Sequence, residues 1–110
     1  MNPLTIRQRD TATGPVLHVV GDLDFDQAPV LRGRLDQLAL SPGQCLILEL
    51  SGLAFCDSSG ITALLAARQH ALAAGADVVL AAVPANLLRV LTVVGLDQVF
   101  TLRPDASAAS

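Results

Sequence analysis

The chain has 110 residues, which is one domain's worth of sequence with room for a modest core. Hydrophobic residues make up 52% and charged ones 15%, which excludes a disordered charged tail and predicts a packed domain. Nine Asp and one Glu face seven Arg, and this net charge of -3, with three Phe and no Trp or Tyr, excludes both a basic surface for nucleic acid and a stacking platform for bases.

The alternating run that begins at Leu4, Ile6 and Gln8 and the apolar run from Val16 to Val20 flank a turn cluster, and they predict a hairpin of two strands. After Gly21 comes Asp22-Leu23-Asp24-Phe25-Asp26, then a helix with Leu31, Leu35 and Leu38 at helical spacing. Asp26 and Pro29 suit its first turn, and Ser41-Pro42-Gly43 suits its end. Cys45 to Leu50 is a short apolar run bounded by turn signals, and it reads as a buried strand. The second helix starts near Asp57-Ser58-Ser59-Gly60, carries Ile61, Leu64, Leu65 and Leu72 as its apolar face, and stops at Gly75. Val78 to Ala82 is the next strand. Pro84 opens a third helix with Leu87, Leu88, Leu91 and Val94, closed by Gly95, and Val99 to Leu102 is the last strand. The order ββαβαβαβ predicts a single α/β domain over residues 1–110. Its mixed β-sheet has helices packed on it, an ordered core over about 4–102 and a tail at 104–110 that frays or makes a short helix.

No uncharged apolar stretch reaches the roughly 18 residues of a membrane span, and the N-terminal residues lack the segments of a signal peptide. Two cysteines, Cys45 and Cys56, are too few for a disulfide framework and read as reduced thiols packed as small hydrophobes, so the expected location is cytoplasmic. They lie eleven positions apart, and a redox pair requires a proximity that the sequence does not show.

Several chemistries are removed by residue type. His18 and His70 fall in different elements without Cys or Glu at ligand spacing, so no metal site is predicted; His18 reads as a strand residue and His70 as part of a polar helix face. There is no GxGxxG motif, and a chain without lysine cannot hold a Walker loop. Asp57-Ser58-Ser59-Gly60 lacks the glycine two residues before the serine that a nucleophile elbow requires, and no histidine is placed as its base. What remains is a buried strand running out through Ser51 and Gly52 and returning through Leu53 and Phe55 to this polar tetrad at a helix start. The tetrad has a structural reading, since Asp57, Ser58 or Ser59 can cap the helix. It also has a functional one, since a phosphate there meets free N–H groups and the positive end of the helix dipole.

Five segments together resemble the STAS domain family and, within it, the bacterial anti-sigma factor antagonists. They are Gly21-Asp22-Leu23-Asp24, Ala28-Pro29 followed by Leu31-Arg32, Leu48-Glu49-Leu50-Ser51, Phe55-Cys56-Asp57-Ser58-Ser59-Gly60, and Val94-Gly95-Leu96-Asp97 with Phe100. The resemblance runs from about Leu4 to Leu102, and the family's small mixed sheet with packed helices agrees with the order read above. Cys56 stands where that family commonly carries a larger aliphatic residue, and Glu49 where Asp is more frequent.

The resemblance implies a binding protein rather than an enzyme, with no catalytic residue and no cofactor. In that family the serine directly after the aspartate, here Ser58, is phosphorylated by a cognate anti-sigma factor that is also a serine kinase. The unphosphorylated antagonist binds the anti-sigma factor and frees the sigma factor, and a serine phosphatase resets the phosphorylated form. The implied partner surface comprises Asp22, Asp24, Asp57, Ser58, Ser59 and Gly60, with Gly60 permitting close approach of a partner backbone. The other reading is a STAS-like subunit that binds a nucleotide or small anion at the Ser58 helix N-terminus, against which the absence of lysine and the surplus of aspartate both count.

Overall fold

A computed structural model describes residues 2–106. Two strands, β1 (Thr5–Thr11) and β2 (Gly14–Leu23), form the hairpin, with Thr11 opposite Gly14 across a two-residue turn of Ala12 and Thr13. Gly14 has φ +141°, and a side chain there would run into the Cys45 carbonyl, so this position requires glycine. Then follow α1 (Ala28–Asp36), β3 (Cys45–Glu49), β4 (Leu53–Cys56), α2 (Ser58–Ala73), β5 (Asp77–Ala81), α3 (Ala85–Val93), a 3-10 turn at Leu96–Gln98 and β6 (Thr101–Arg103). The α/β class and the mixed sheet agree with the sequence reading, but the element order gains one strand, β4. The segment Leu53–Cys56 buries only Leu53 and exposes Ala54 and Phe55, so it carries no buried-strand pattern. Pairing to β2 makes it a strand.

The six-stranded sheet runs β1-β2-β3-β5-β6, antiparallel between β1 and β2 and parallel elsewhere. Strand β2 is long enough to pair twice. Val16 to His18 run beside Ile47 to Glu49 of β3, and Gly21 to Leu23 run beside β4. The main core lies between the sheet and the helices: Leu17, Val19, Leu46, Leu48 and Leu80 from the strands meet Leu31, Leu35 and Leu64 from α1 and α2. It is aliphatic apart from Phe100, and no buried polar residue interrupts it among the described residues. Val16, Ile47, Val79 and Ala81 form a small second cluster, and the alternation of side chains along each strand places it on the other face. Ala106 packs against that cluster, while positions 107–110 of the expected tail lie outside the described residues.

The helices differ in detail from their sequence readings. Helix α1 starts at Ala28, not at Asp26, and ends at Asp36. Leu38 lies beyond its end yet stays buried, and His70 Nε2 lies 3.1 Å from the Leu38 carbonyl oxygen. His70 is therefore a brace between α2 and the segment after α1 rather than a member of a free polar face. Helix α2 buries Gly60, Ala63, Leu64, Ala67 and Ala71, whereas Leu72 is 46% exposed. The large side chains from the strands already fill the space, and a helix face of small residues lets the two backbones come close. Of the apolar face expected from periodicity, Leu64 is buried and Ile61 and Leu65 pack against the core, so only Leu72 is turned out, while Ala63, Ala67 and Ala71 join the buried side. In α3, Leu87 and Leu91 are buried while Leu88 and Val94 remain exposed. Gly75 and Gly95, at φ +75° and +82°, follow the ends of α2 and α3 as their sequence positions predict.

Candidate functional site

The pairing of β2 with β4 builds the rim at the start of α2. Asp22 lies opposite Phe55 and Leu23 opposite Cys56, and beyond that pair the Asp57 amide donates to the Leu23 carbonyl at 3.3 Å. The strand pairing ends there: beyond it one chain segment turns through Asp24 and Phe25 and the other enters α2 at Ser58. The structure therefore brings the loop that holds Asp22 and Asp24 beside Asp57, Ser58 and Ser59, which lie more than thirty positions later in the chain.

Asp57, not either serine, caps the helix. Its backbone is extended, and its Oδ1 accepts a hydrogen bond from the Gly60 amide at 3.1 Å. Such a cap contributes about 0.5–2 kcal/mol. Ser58 is consequently the first helical residue and is exposed, while its carbonyl accepts from the Thr62 hydroxyl at 3.0 Å. Ser59 is half-buried behind it. Gly60 is buried: a methyl group there would overlap the Leu23 carbonyl oxygen and stand 2.6 Å from the Cys56 sulfur. The close approach that Gly60 allows is thus made to the chain's own β2, and it seats the first turn of α2 against the sheet.

The two loop aspartates also hold backbone. Asp22 Oδ2 accepts from the Asn2 amide at 3.0 Å, and Asp24 Oδ1 accepts from the Gln27 amide at 3.0 Å. The Asp24 carbonyl accepts from Ala28 at 2.7 Å, which fixes the entry to α1. Residues 21–31 and 50–67, which build the rim, contain Asp22, Asp24, Asp26 and Asp57 and neither Arg nor His. None of these four carboxylates forms an ion pair among the described residues.

Two surface residues were not singled out by the sequence reading. Phe25 is 76% exposed and Phe55 is 53% exposed, although the chain has only one other aromatic residue. The local signal at Phe25 is an aromatic set between two aspartates, a pattern poorly suited to a core. A groove of about 270 Å³ opens between β4 and α3, lined by Phe55, Cys56, Pro84, Leu87 and Val90 among others.

The remaining polar chemistry lies elsewhere. His18 Nδ1 lies 3.1 Å from Glu49 Oε2, and the two residues are directly paired between β2 and β3. Burial raises the Glu49 pKa, but hydrogen bonds from Ser51 and His18 outweigh it and hold the carboxyl below its ordinary range. His70 is twelve residues along α2 from Ser58, about 18 Å at the helical rise. His70 is therefore not placed to act as a base for that serine, and the His18 ring is engaged by Glu49. Cys45 begins β3 and Cys56 ends β4, and both are free and half-buried. Burial, reinforced by the neighbouring Asp57 carboxylate, pushes the Cys56 thiol up to about 12. Among the described residues no group of three His, Cys, Asp or Glu could hold a metal ion, and no helix is long and apolar enough to cross a membrane.

No curated protein matches the chain in sequence. Among solved structures, an anti-sigma factor antagonist from Mycobacterium paratuberculosis superposes with a TM-score of 0.83 at 24% identity, covering 96% of this chain and 90% of that one. An anti-sigma-factor antagonist (STAS) domain protein from Planctomyces limnophilus gives 0.78 at 20% identity, covering 94% and 93%. The Bacillus cell fate determinant SpoIIAA, in its phosphorylated form, gives 0.72 at 20% identity, covering 96% of each chain. These likenesses are of the overall fold. The family model described as "Mlab, STAS domain" matches residues 6–104, almost the whole of the sheet and helices that carry the Ser58 rim, and the chain belongs to the STAS domain family.

Proposed function

We propose that this domain is an anti-sigma factor antagonist controlled by phosphorylation of Ser58. In its unmodified form it binds a cognate anti-sigma factor that is also a serine kinase, and the sigma factor is released. Phosphate on Ser58 breaks that complex, and a serine phosphatase restores the binding form. The protein acts by binding and not by catalysis, in the cytoplasm. The partner surface consists of Asp22, Asp24, Asp57, Ser58 and Ser59, with Gly60 seating the helix turn that presents them.

The observation that carries this reading is the position of Ser58. Its hydroxyl is free of the capping role, which Asp57 fills, and the residue is exposed at the head of a helix. A phosphate adds about 1.5–2 negative charges at pH 7. The N-terminus of α2 accommodates that charge within the domain, whereas burying it against partner atoms without a counter-ion costs several kcal/mol. The interface is lost while the fold survives. The structural neighbours, several of them anti-sigma factor antagonists and one solved phosphorylated, support the same reading.

The alternative of a nucleotide or small free anion bound at the same helix end has less support. The Gly60 amide is already engaged by the Asp57 carboxylate, and Asp22, Asp24 and Asp26 stand in the adjoining loop. The deciding experiment incubates the protein with ATP and candidate anti-sigma factor kinases and maps the phosphate by mass spectrometry. Modification of Ser58 that disappears in Ser58→Ala supports the proposal; phosphate on Ser59 or Thr62, with Ser58→Ala still modified, refutes it.

A further inference from the structure

The surface around Ser58 combines an apolar centre with an acidic periphery. Two of the chain's three aromatic residues are held out in water on the two segments that meet through the β2–β4 pairing, Phe25 at 76% exposure just after β2 and Phe55 at 53% on β4. Exposed aromatic side chains of this kind are enriched at the centres of protein interfaces. From Phe55 the groove of about 270 Å³ continues between β4 and α3, with Leu87 and Val90 along its helical side. Val93 and Val94, 79% and 58% exposed, prolong the apolar strip along α3. Val90, Val93 and Val94 are spaced three and four residues apart, a ridge that complements the side chains of a second helix. Asp22 lies opposite Phe55 in the β2–β4 pairing and Asp57 follows Cys56, which also lines the groove, so the acidic loop adjoins the groove on its β4 side. Residues 21–31 and 50–67 carry no cation, the exposed Arg89 beside Val90 lying on α3, and none of Asp22, Asp24, Asp26 and Asp57 forms an ion pair among the described residues.

We infer that this groove and rim receive a basic amphipathic helix of the partner protein. Its apolar face lies along Phe55 and Val90, and its Arg or Lys side chains reach the loop carboxylates Asp22, Asp24 and Asp26. Charge complementarity selects this occupant. An acidic helix would set like charges against the rim, and a second copy of this chain, itself at -3, would bring a second acidic rim. A purely apolar helix would desolvate the carboxylates without pairing them. The inference names the partner chemistry of the surface assigned above and rests on the reading of that rim as the partner-binding face. On this arrangement the partner's cations are taken up by the loop carboxylates, and a phosphate on Ser58 is a further charge that they leave without a counter-ion.

The test uses the unphosphorylated chain and two synthetic helical peptides with the same leucine face, one flanked by arginine and one by glutamate. Fluorescence anisotropy measures affinity, and side-chain NMR shifts locate the contact. The arginine peptide binds more tightly than the glutamate peptide by about tenfold or more, and its affinity falls as salt is raised. It shifts Phe25, Phe55 and the α3 valines. Phe55→Ser and the pair Asp24→Asn with Asp26→Asn each weaken it by about tenfold, and in each variant an unchanged melting temperature shows that the fold persists. Equal binding of the two peptides, binding of neither, or shifts confined to another face overturns the inference. No kinase enters this assay. A chain that binds the arginine peptide but takes no phosphate at Ser58 upholds the inference and refutes the phosphorylation switch, and the converse pair of results separates them the other way.

Discussion

Ser58→Asp separates the fold from the interface, because the two respond to a new carboxylate in opposite ways. Ser58 is the first residue of α2 and is exposed, so a carboxylate there gains about 0.3–1 kcal/mol from the helix dipole. It also stands next to Asp57. Two unit charges about 6 Å apart in water repel by about 0.7 kcal/mol, and salt lowers that further. The two effects cancel to within about 0.5 kcal/mol, which for a domain of this size moves the melting temperature by no more than about 3 °C. The hydrogen bond from Gly60 to Asp57 is untouched by the substitution. Partner affinity behaves differently, since a carboxylate desolvated against an apolar contact weakens it by at least tenfold, or about 1.4 kcal/mol. Ser58→Ala keeps both the fold and the binding, and because Asp57 is the cap it loses no capping energy. Thermal unfolding and calorimetric titration against the cognate anti-sigma factor measure the two quantities on the same samples. If Ser58→Asp melts the domain, or binds as tightly as the parent, the charge argument fails even where Ser58 is phosphorylated.

Asp57→Ala removes the bond to the Gly60 amide and lowers stability by about 1 kcal/mol in urea unfolding; a change below about 0.3 kcal/mol would show that the cap is not formed. Gly60→Ala forces a methyl group against the Leu23 carbonyl and costs about 1–3 kcal/mol, in contrast to Gly33→Ala, where the added methyl meets nothing within 4 Å. Glu49 has a folded pKa below its unfolded value, so its contribution is present above the unfolded pKa and is lost as the pH falls through the folded one. The parent therefore loses more stability than Glu49→Gln on acidification below the ordinary carboxylate range, and parallel acid-unfolding curves for the two proteins would contradict this. Cys56, at about 12, resists alkylation at pH 8 in the folded protein and reacts once it is denatured; prompt labelling of Cys56 by iodoacetamide in the native state would place its thiol elsewhere.

Local signals in the sequence were sufficient for the class of the fold and for the position of the polar tetrad. Alternation before and after the turn at Ala12 and Thr13 specifies the hairpin, short apolar runs specify β3 and β5, and Gly75 and Gly95 mark the ends of two helices through their positive φ angles. The start of α2 is legible because a capping residue must stand just before a helix, although three residues in a row were chemically able to fill that role. Only packing decided among them. The first turn of α2 is seated by Gly60 against Leu23, and in that position Asp57 reaches the Gly60 amide while Ser58 is left free at the surface. Strand β4 was likewise invisible, because its four residues bury a single side chain and its identity lies in hydrogen bonds to β2, thirty residues away. The buried face of α2 was legible at Leu64, with Ile61 and Leu65 packed beside it, and misread only at Leu72: hydrophobicity ranks Leu72 above Ala67, but close approach to a sheet filled with leucine favours the smaller residue. The exposed Phe25 and Phe55 complete the contrast. Composition predicts that aromatic residues of a small domain go to its core, whereas here Phe55, on β4, and Phe25, in the turn just after β2, both stay in solvent.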